Sequence, residues 1–160
     1  MPNEQCADPT RDQRDEPVPR WRGRTRADRA HRAVIVLDAS AAVSALLNDG
    51  DARRIVATES VHVPHLIDAE VASGLRRQAR SGSIAPAAAW AALDAWRRAG
   101  VQRYPIPGLL ERMWELRENV TSYDACYVAL AEELGCALVT ADAQLARATG
   151  VRCTVTVVPR

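Results

Sequence analysis

Four acidic residues stand where a carboxylate is of more use to chemistry than to solubility. Asp38 directly follows the apolar run AVIVL at 33–37, and Asp142 follows CALVT by one alanine. Glu70 lies in the first turns of the segment after the VHVP run at 61–64, and Asp124 opens the segment that begins near Thr121. Open parallel sheets bind ligands just beyond the carboxyl ends of their strands, so acids at those places are candidate site residues. Four carboxylates sharing one cleft repel one another unless a cation neutralises them. A donor set of oxygens alone, with no His or Cys, suits Mg²⁺ or Mn²⁺ rather than Zn²⁺. Such an ion activates a water and stabilises charge on a phosphoryl group, which makes phosphodiester hydrolysis the natural reaction class. Ser40 and Thr140, two residues from Asp38 and Asp142, are placed to orient a carboxylate, a water or a phosphate; ordinary capping is an equal reading.

Each acid also has a structural reading. Asp38 and Asp142 precede helical segments and serve as N-caps, and Thr121-Ser122-Tyr123-Asp124 has the form of a capping box. Glu70 fits that reading worst. It falls within an apolar stripe of Ile67, Val71, Gly74 and Leu75, where an unpaired carboxylate is costly. Gly74 lacks a side chain one turn on, which predicts room beside Glu70 for a cation. Asp68 reads as an outward-facing first-turn acid, and His62 and His65, flanking Pro64, as structural. Trp90, Leu93 and Trp96 share much of one helix side and are expected to pack or to serve an interface. Arg76, Arg77 and Arg80 read as a solvated last helical turn, with a grip on phosphate as the alternative.

The elements that must position these residues alternate between short β-branched runs and longer helical stretches, the pattern of a parallel sheet covered by helices. Strands are predicted at 33–37, 61–63, 101–106, 136–139 and 154–158, with 101–106 at an edge because Pro105 cannot donate to a ladder. Helices are predicted at 40–48, 51–58, 66–80, 86–99, 109–118, 122–134 and 143–149. The expected fold class is therefore α/β, with a five-stranded, mainly parallel sheet in a single domain.

Composition narrows the function further. With 160 residues and 48% hydrophobic content, the chain is sized for one domain with a substantial core. Its 21 basic residues are all arginine, against 20 acids, for a net charge of +1, so a globally basic nucleic-acid binder is not indicated. The absence of lysine removes P-loop phosphate binding, Schiff-base chemistry and the Asp-plus-Lys site of a receiver domain. Residues 1–32 carry eight Arg and six acids with few apolar residues, which predicts a disordered Arg-rich extension ahead of a domain at 33–160. That extension has no apolar run of the secretory type, and no run of about 18 apolar residues occurs anywhere, so no membrane span is expected. Cys6, Cys126, Cys136 and Cys153 show no metal-site spacing, which fits a reduced, cytoplasmic protein.

Four segments taken together and in order, VIVLDAS, DAEVASGLRR, TSYDACYVALAEELG and LVTADAQLARA, closely resemble PIN-domain ribonucleases of the VapC toxin type. The resemblance covers 33–160. It implies a five-stranded parallel sheet, a quartet of acids at Asp38, Glu70, Asp124 and Asp142 that binds Mg²⁺ or Mn²⁺, and endonucleolytic cleavage of RNA. It also implies that Ser40 and Thr140 are the small polar residues that meet substrate, that the protein forms a homodimer, and that a cognate antitoxin covers the cleft. Trp90, Trp96, Trp114 and the alanine-rich segment 86–99 give more apolar helix surface than one small sheet needs, which suits such interfaces. Two other readings are open: a catalytically inactive module of the same fold that binds RNA or antitoxin, and a metal-dependent phosphatase. Against the phosphatase stand the single acid of Asp38-Ala39-Ser40 and the missing lysine.

Overall fold

The computed structural model describes residues 32–159. The extension predicted at 1–32 therefore lies, apart from Arg32, outside the described residues.

The apolar run becomes strand β1 (Val34–Leu37), and Asp38 caps the helix that follows it, α1 (Ala39–Leu47). A short helix α2 (Asp51–Thr58) leads into β2 (Ser60–Pro64). Helix α3 (Ile67–Arg80) ends with Arg77 and Arg80 in its last turn, where positive charge complements the helix dipole. Gly82 then reverses the chain at φ 74°, a left-handed conformation that suits glycine. Helix α4 (Pro86–Arg97) opens on a proline, whose missing N–H is no loss in a first turn. The edge strand β3 (Gln102–Tyr104) is followed by a 3₁₀ turn at Pro107–Leu109 and the short helix α5 (Leu110–Glu115). Helix α6 (Ser122–Glu133), strand β4 (Ala137–Thr140), a 3₁₀ turn at Leu145–Arg147 and strand β5 (Val155–Val157) complete the order.

All strand pairings are parallel and the order is β3-β2-β1-β4-β5. The chain first builds outward from β1 to β3, then crosses back to lay β4 on the other side of β1. The β1/β4 boundary is thus the topological switch point, where a crevice opens beyond the strand ends. Val36, Leu37, Leu138 and Val139 are buried there, as expected of strands covered on both faces. Helix α6 is buried over seven consecutive residues, Ala125 to Ala131, and packs on β1, β2 and β4. A helix apolar all round belongs in the interior.

Two predicted helices are corrected. The stretch at 143–149 forms only the 3₁₀ turn, because the Asp142 carboxylate accepts the Gln144 N–H (2.8 Å) and Asn119 donates to the Thr149 hydroxyl (2.5 Å) in place of continuous helical bonding. The helix at 109–118 stops at Glu115. Arg117 N–H reaches back only three residues, to the Trp114 carbonyl, and the chain turns to deliver Thr121 to the start of α6.

Candidate active site

The register of β1 on β4 pairs Leu37 with Val139, so Asp38 emerges beside Thr140 at the carboxyl end of the sheet. Three donors converge on Asp38 Oδ2: the Ser40 hydroxyl, the Thr140 hydroxyl (2.8 Å) and the Ser40 N–H (3.3 Å). Ser40 in turn accepts the Ala141 N–H (2.9 Å), and Thr140 accepts the Asp142 N–H (3.0 Å). This clasp ties the strand end of β1 to the strand end of β4. Asp38 and Thr140 are 7% and 0% exposed, so the clasp is interior and worth more than the same bonds in water. Both sequence readings of these residues hold at once: Asp38 caps α1, and Ser40 and Thr140 orient its carboxylate.

Glu70 reaches the same cleft from α3. The buried Tyr127 hydroxyl donates to its Oε2 (2.5 Å). Tyr127 was not among the predicted site residues, although it stands three positions after Asp124 and so on nearly the same helix face. Asp124 forms the predicted capping box, its N–H donating to Thr121 Oγ1 (3.1 Å) while the Thr121 hydroxyl donates to Asp124 Oδ2 (2.7 Å). Asp142 accepts the Gln144 N–H through Oδ1 alone.

A common pattern emerges. Asp38, Glu70, Asp124 and Asp142 are each held by neutral protein donors alone; in Asp38, Glu70 and Asp142 the second oxygen has no protein partner among the described residues, while Asp124 also takes the Thr121 backbone N–H. None of the four is in an ion pair among the described residues. Asp68, Asp94 and Glu132, by contrast, are all paired with arginine. All four line one cavity of about 480 Å³, together with Ser40 and Arg77. Burial pushes the Glu70 carboxyl above its usual range, the Tyr127 hydrogen bond pulls it back, and the charges of Asp38 and Asp124 push it up again. The Asp124 carboxyl is likewise raised, first by burial and then by Asp38 and Asp142, against the lowering effect of Thr121.

Carboxylates held only by neutral donors, four of them against the one arginine of the cleft, fit a hard divalent cation in donor type and charge. In the arrangement shown, no three His, Cys, Asp or Glu side chains among the described residues are gathered closely enough to encage an ion. The fit therefore rests on chemistry and charge.

Several expectations are corrected around this cleft. Gly74 does line the cleft beside Glu70, but its missing side chain also serves packing: a Cβ there would meet Val43 Cγ2 at 2.9 Å, so the glycine lets α3 lie close on α1. Asp68 does not face outward alone. It accepts from Arg103 Nε and Nη2 (2.8 and 2.9 Å) and from Trp96 Nε1 (2.8 Å), joining α3 to the edge strand and α4. Trp90 and Trp96 part company, at 67% and 4% exposed, because six residues of helix rotate them about 120° apart. His62 is structural, bonded to Tyr104 Oη (2.8 Å) and Ser60 Oγ (3.1 Å). Of the three arginines near the end of α3, Arg77 lines the cleft. Cys126, Cys136 and Cys153 are free thiols, and burial, with the Glu70 charge, pushes Cys126 up to about 12. Among the described residues no helix is long and apolar enough to cross a membrane.

The family model for the PIN domain matches residues 35–151. The chain belongs to the PIN-domain family. Within it the chain is of VapC type: it is 58% identical over 127 residues to ribonuclease VapC9 of Mycobacterium tuberculosis, covering 79% of this chain and 100% of that protein. The crystal structure of PAE2754 from Pyrobaculum aerophilum superposes with a TM-score of 0.58 at 28% identity, covering 77% of this chain and 83% of that one. VapBC2 from Rickettsia felis, bound to a DNA fragment from its promoter, shares the fold at a TM-score of 0.56 and 13% identity, over 77% of this chain and 97% of that one.

Proposed function

We propose that this PIN-domain protein is the toxin of a toxin–antitoxin pair, an Mg²⁺- or Mn²⁺-dependent endoribonuclease acting in the cytoplasm on an RNA phosphodiester bond. The observation that carries the reading is the shared pattern of Asp38, Glu70, Asp124 and Asp142: each is held by neutral donors alone, without an ion pair among the described residues, and all four line a common cleft. A divalent cation held by these carboxylates supplies an activated water and offsets charge building on the phosphoryl oxygens. The protein's own part is alignment. Ser40 and Thr140 fix the plane of Asp38. Tyr127 holds Glu70 by Oε2, and the short Thr121 bridge fixes Asp124. Side chains locked in this way do not have to be ordered when substrate arrives. Ser40 lines the cleft and is available to the substrate phosphate, whereas Thr140, expected from the sequence to meet substrate as well, is fully buried and acts only through Asp38.

The catalytic and metal-holding set we assign is Asp38, Glu70, Asp124 and Asp142, and the domain that contains it is 33–160. The relationship to VapC proteins further supports a cognate antitoxin as partner and a homodimer as the working assembly, with exposed Trp90 on α4 as a contact.

Asp38→Asn, Glu70→Gln, Asp124→Asn and Asp142→Asn should each lower cleavage of a labelled structured RNA by at least about a hundredfold, the scale of one lost electrostatic group, while far-UV circular dichroism is unchanged. Cleavage near the wild-type rate by two of the four variants defeats the assignment. RNA bound tightly but never cut by wild type with Mg²⁺ or Mn²⁺ would favour the inactive binding module.

A further inference from the structure

Asp124 and Asp142 border a second cavity besides the catalytic cleft. It measures about 470 Å³, and its walls include Arg117, Asn119, Gln144 and Arg147. The two cavities meet at the shared pair of acids.

The charges in the second cavity are arranged unusually. Arg147 follows Asp142 by five positions in the 3₁₀ turn, is exposed, and its guanidinium has no hydrogen-bond or ion-pair partner among the described residues. Arg117 stands over the indole of Trp114 at 5.1 Å and donates to the Trp114 carbonyl (2.9 Å). Its one ionic neighbour among the described residues is Glu118 at 3.3 Å, and the two side chains are 47% and 80% exposed, so that contact exchanges readily with another anion. Two cations thus share a cavity with three carboxylates, and apart from the exposed Arg117–Glu118 contact neither is paired with Asp124 or Asp142. On the other side of those acids, Arg77 lines the catalytic cleft, also without an ion-pair partner among the described residues. The line through both cavities runs from arginine through clustered acids to a pair of arginines. A phosphodiester chain lying along it would place one phosphate at the acids and its neighbours beside guanidinium groups. Trp114, 70% exposed, lies just outside the cavity lining, with Arg117 stacked on one face of its indole and the other face left for a base. Aromatic and guanidinium faces together accept unpaired bases.

We propose that this second cavity is a subsite for the nucleotide adjacent to the cleaved phosphate in an unpaired stretch of RNA, with Arg117 and Arg147 on the backbone phosphate and the Trp114 face against the base. The inference rests on the RNA-cleaving reading and adds a strand path and a preference for single-stranded substrate.

The test uses the full chain with Mg²⁺. Binding of a labelled single-stranded oligoribonucleotide is measured in the non-cleaving Asp38→Asn background, and cleavage kinetics in the otherwise wild-type chain. Arg117→Gln and Arg147→Gln should each weaken binding and raise KM several-fold, with kcat falling much less. Each should also lower the slope of log K against log salt by about 0.7, the value for one phosphate contact on a single strand. Trp114→Ala should weaken single-stranded RNA by at least about fivefold and duplex RNA of the same sequence far less. Arg80→Ala, which removes the same charge outside both cavities, should leave these quantities unchanged. Losses no larger than that of Arg80→Ala overturn the subsite as mere diffuse attraction. So does a Trp114→Ala variant that changes oligomeric state while binding RNA normally, because Trp114 is then a protein interface. Wild-type RNA cleavage with unaffected arginine variants rejects the subsite alone, whereas a wild type that cuts no RNA rejects the reading beneath it.

Discussion

Capping and charge repulsion act on the same carboxylate at Asp124. Thr121 and the helix N-terminus favour its ionised form, while burial and the charges of Asp38 and Asp142 disfavour it, and the balance leaves the carboxyl above its usual range. A carboxyl whose folded-state pKa exceeds its unfolded value destabilises the fold above the unfolded pKa. The penalty is absent in acid, grows as pH rises through the gap between the two values, and is complete above the folded one. In EDTA at pH 7.5, Asp124→Asn should therefore melt above wild type, since its amide oxygen can still accept from Thr121. The difference should shrink as pH falls toward about 4. Saturating Mg²⁺ should raise the wild-type melting temperature and narrow the difference from the other side. A variant that melts lower in EDTA, with no Mg²⁺ response in wild type, would show that capping alone governs this residue. At this scale the acids were legible because strand ends and helix starts can be read from local pattern. Tyr127 was not, because its value to Glu70 arises only when α6 and α3 meet across 57 residues of sequence. Asp68 was misread for the same reason, its partners lying 28 and 35 positions away.

Between helices, Gly74 and Val43 set how closely α3 approaches α1, and the catalytic cleft lies between these two elements. Alanine in place of a helical glycine normally gains about 1 kcal/mol through backbone entropy. Here the added methyl meets Val43, and overpacking costs about 1–3 kcal/mol. Gly74→Ala alone should thus be neutral or destabilising, yet stabilising by about 1 kcal/mol in a Val43→Ala background. Urea denaturation of the four proteins in this cycle measures the coupling directly. Equal effects in both backgrounds would mean that the helices part without cost. A glycine in a stripe announces that something comes close. Whether that is an ion or a neighbouring helix depends on packing that no local pattern encodes. The helix expected at 143–149 shows a related limit: its residues suit a helix, and side-chain bonds from Asp142 and Asn119 hold the segment otherwise.

For the molecule as a whole, the buried apolar core is assembled from residues 35 to 158. Arg32, the first described residue, donates through Nη1 to the Ala57 carbonyl (3.0 Å). A single such bond is worth about 0.5–1.5 kcal/mol. Because the described core lies within 35–158, a chain limited to 33–160 should fold and retain RNA cleavage and growth arrest of a bacterial host. An unfolded or inactive truncation would assign the first 32 residues a structural or functional part. The sheet itself was legible end to end, strand by strand, because alternation of β-branched and helical runs needs no knowledge of distant partners. Cleft electrostatics needed the three-dimensional arrangement.

The Thr140 hydroxyl and the Asp38 carboxylate that it helps to hold are separated by 102 positions. Synthesis runs from the amino terminus, so a chain still growing on a ribosome presents β1 and α3 long before β4 exists to pair with β1. An incomplete chain can carry Asp38 and Glu70, but it lacks Thr140, Asp142 and the sheet boundary that brings them together. The proposed cleaving set is thus complete only once the crossover that lays β4 beside β1 has formed. Until then a growing chain holds its acids apart from the sheet boundary that gathers them.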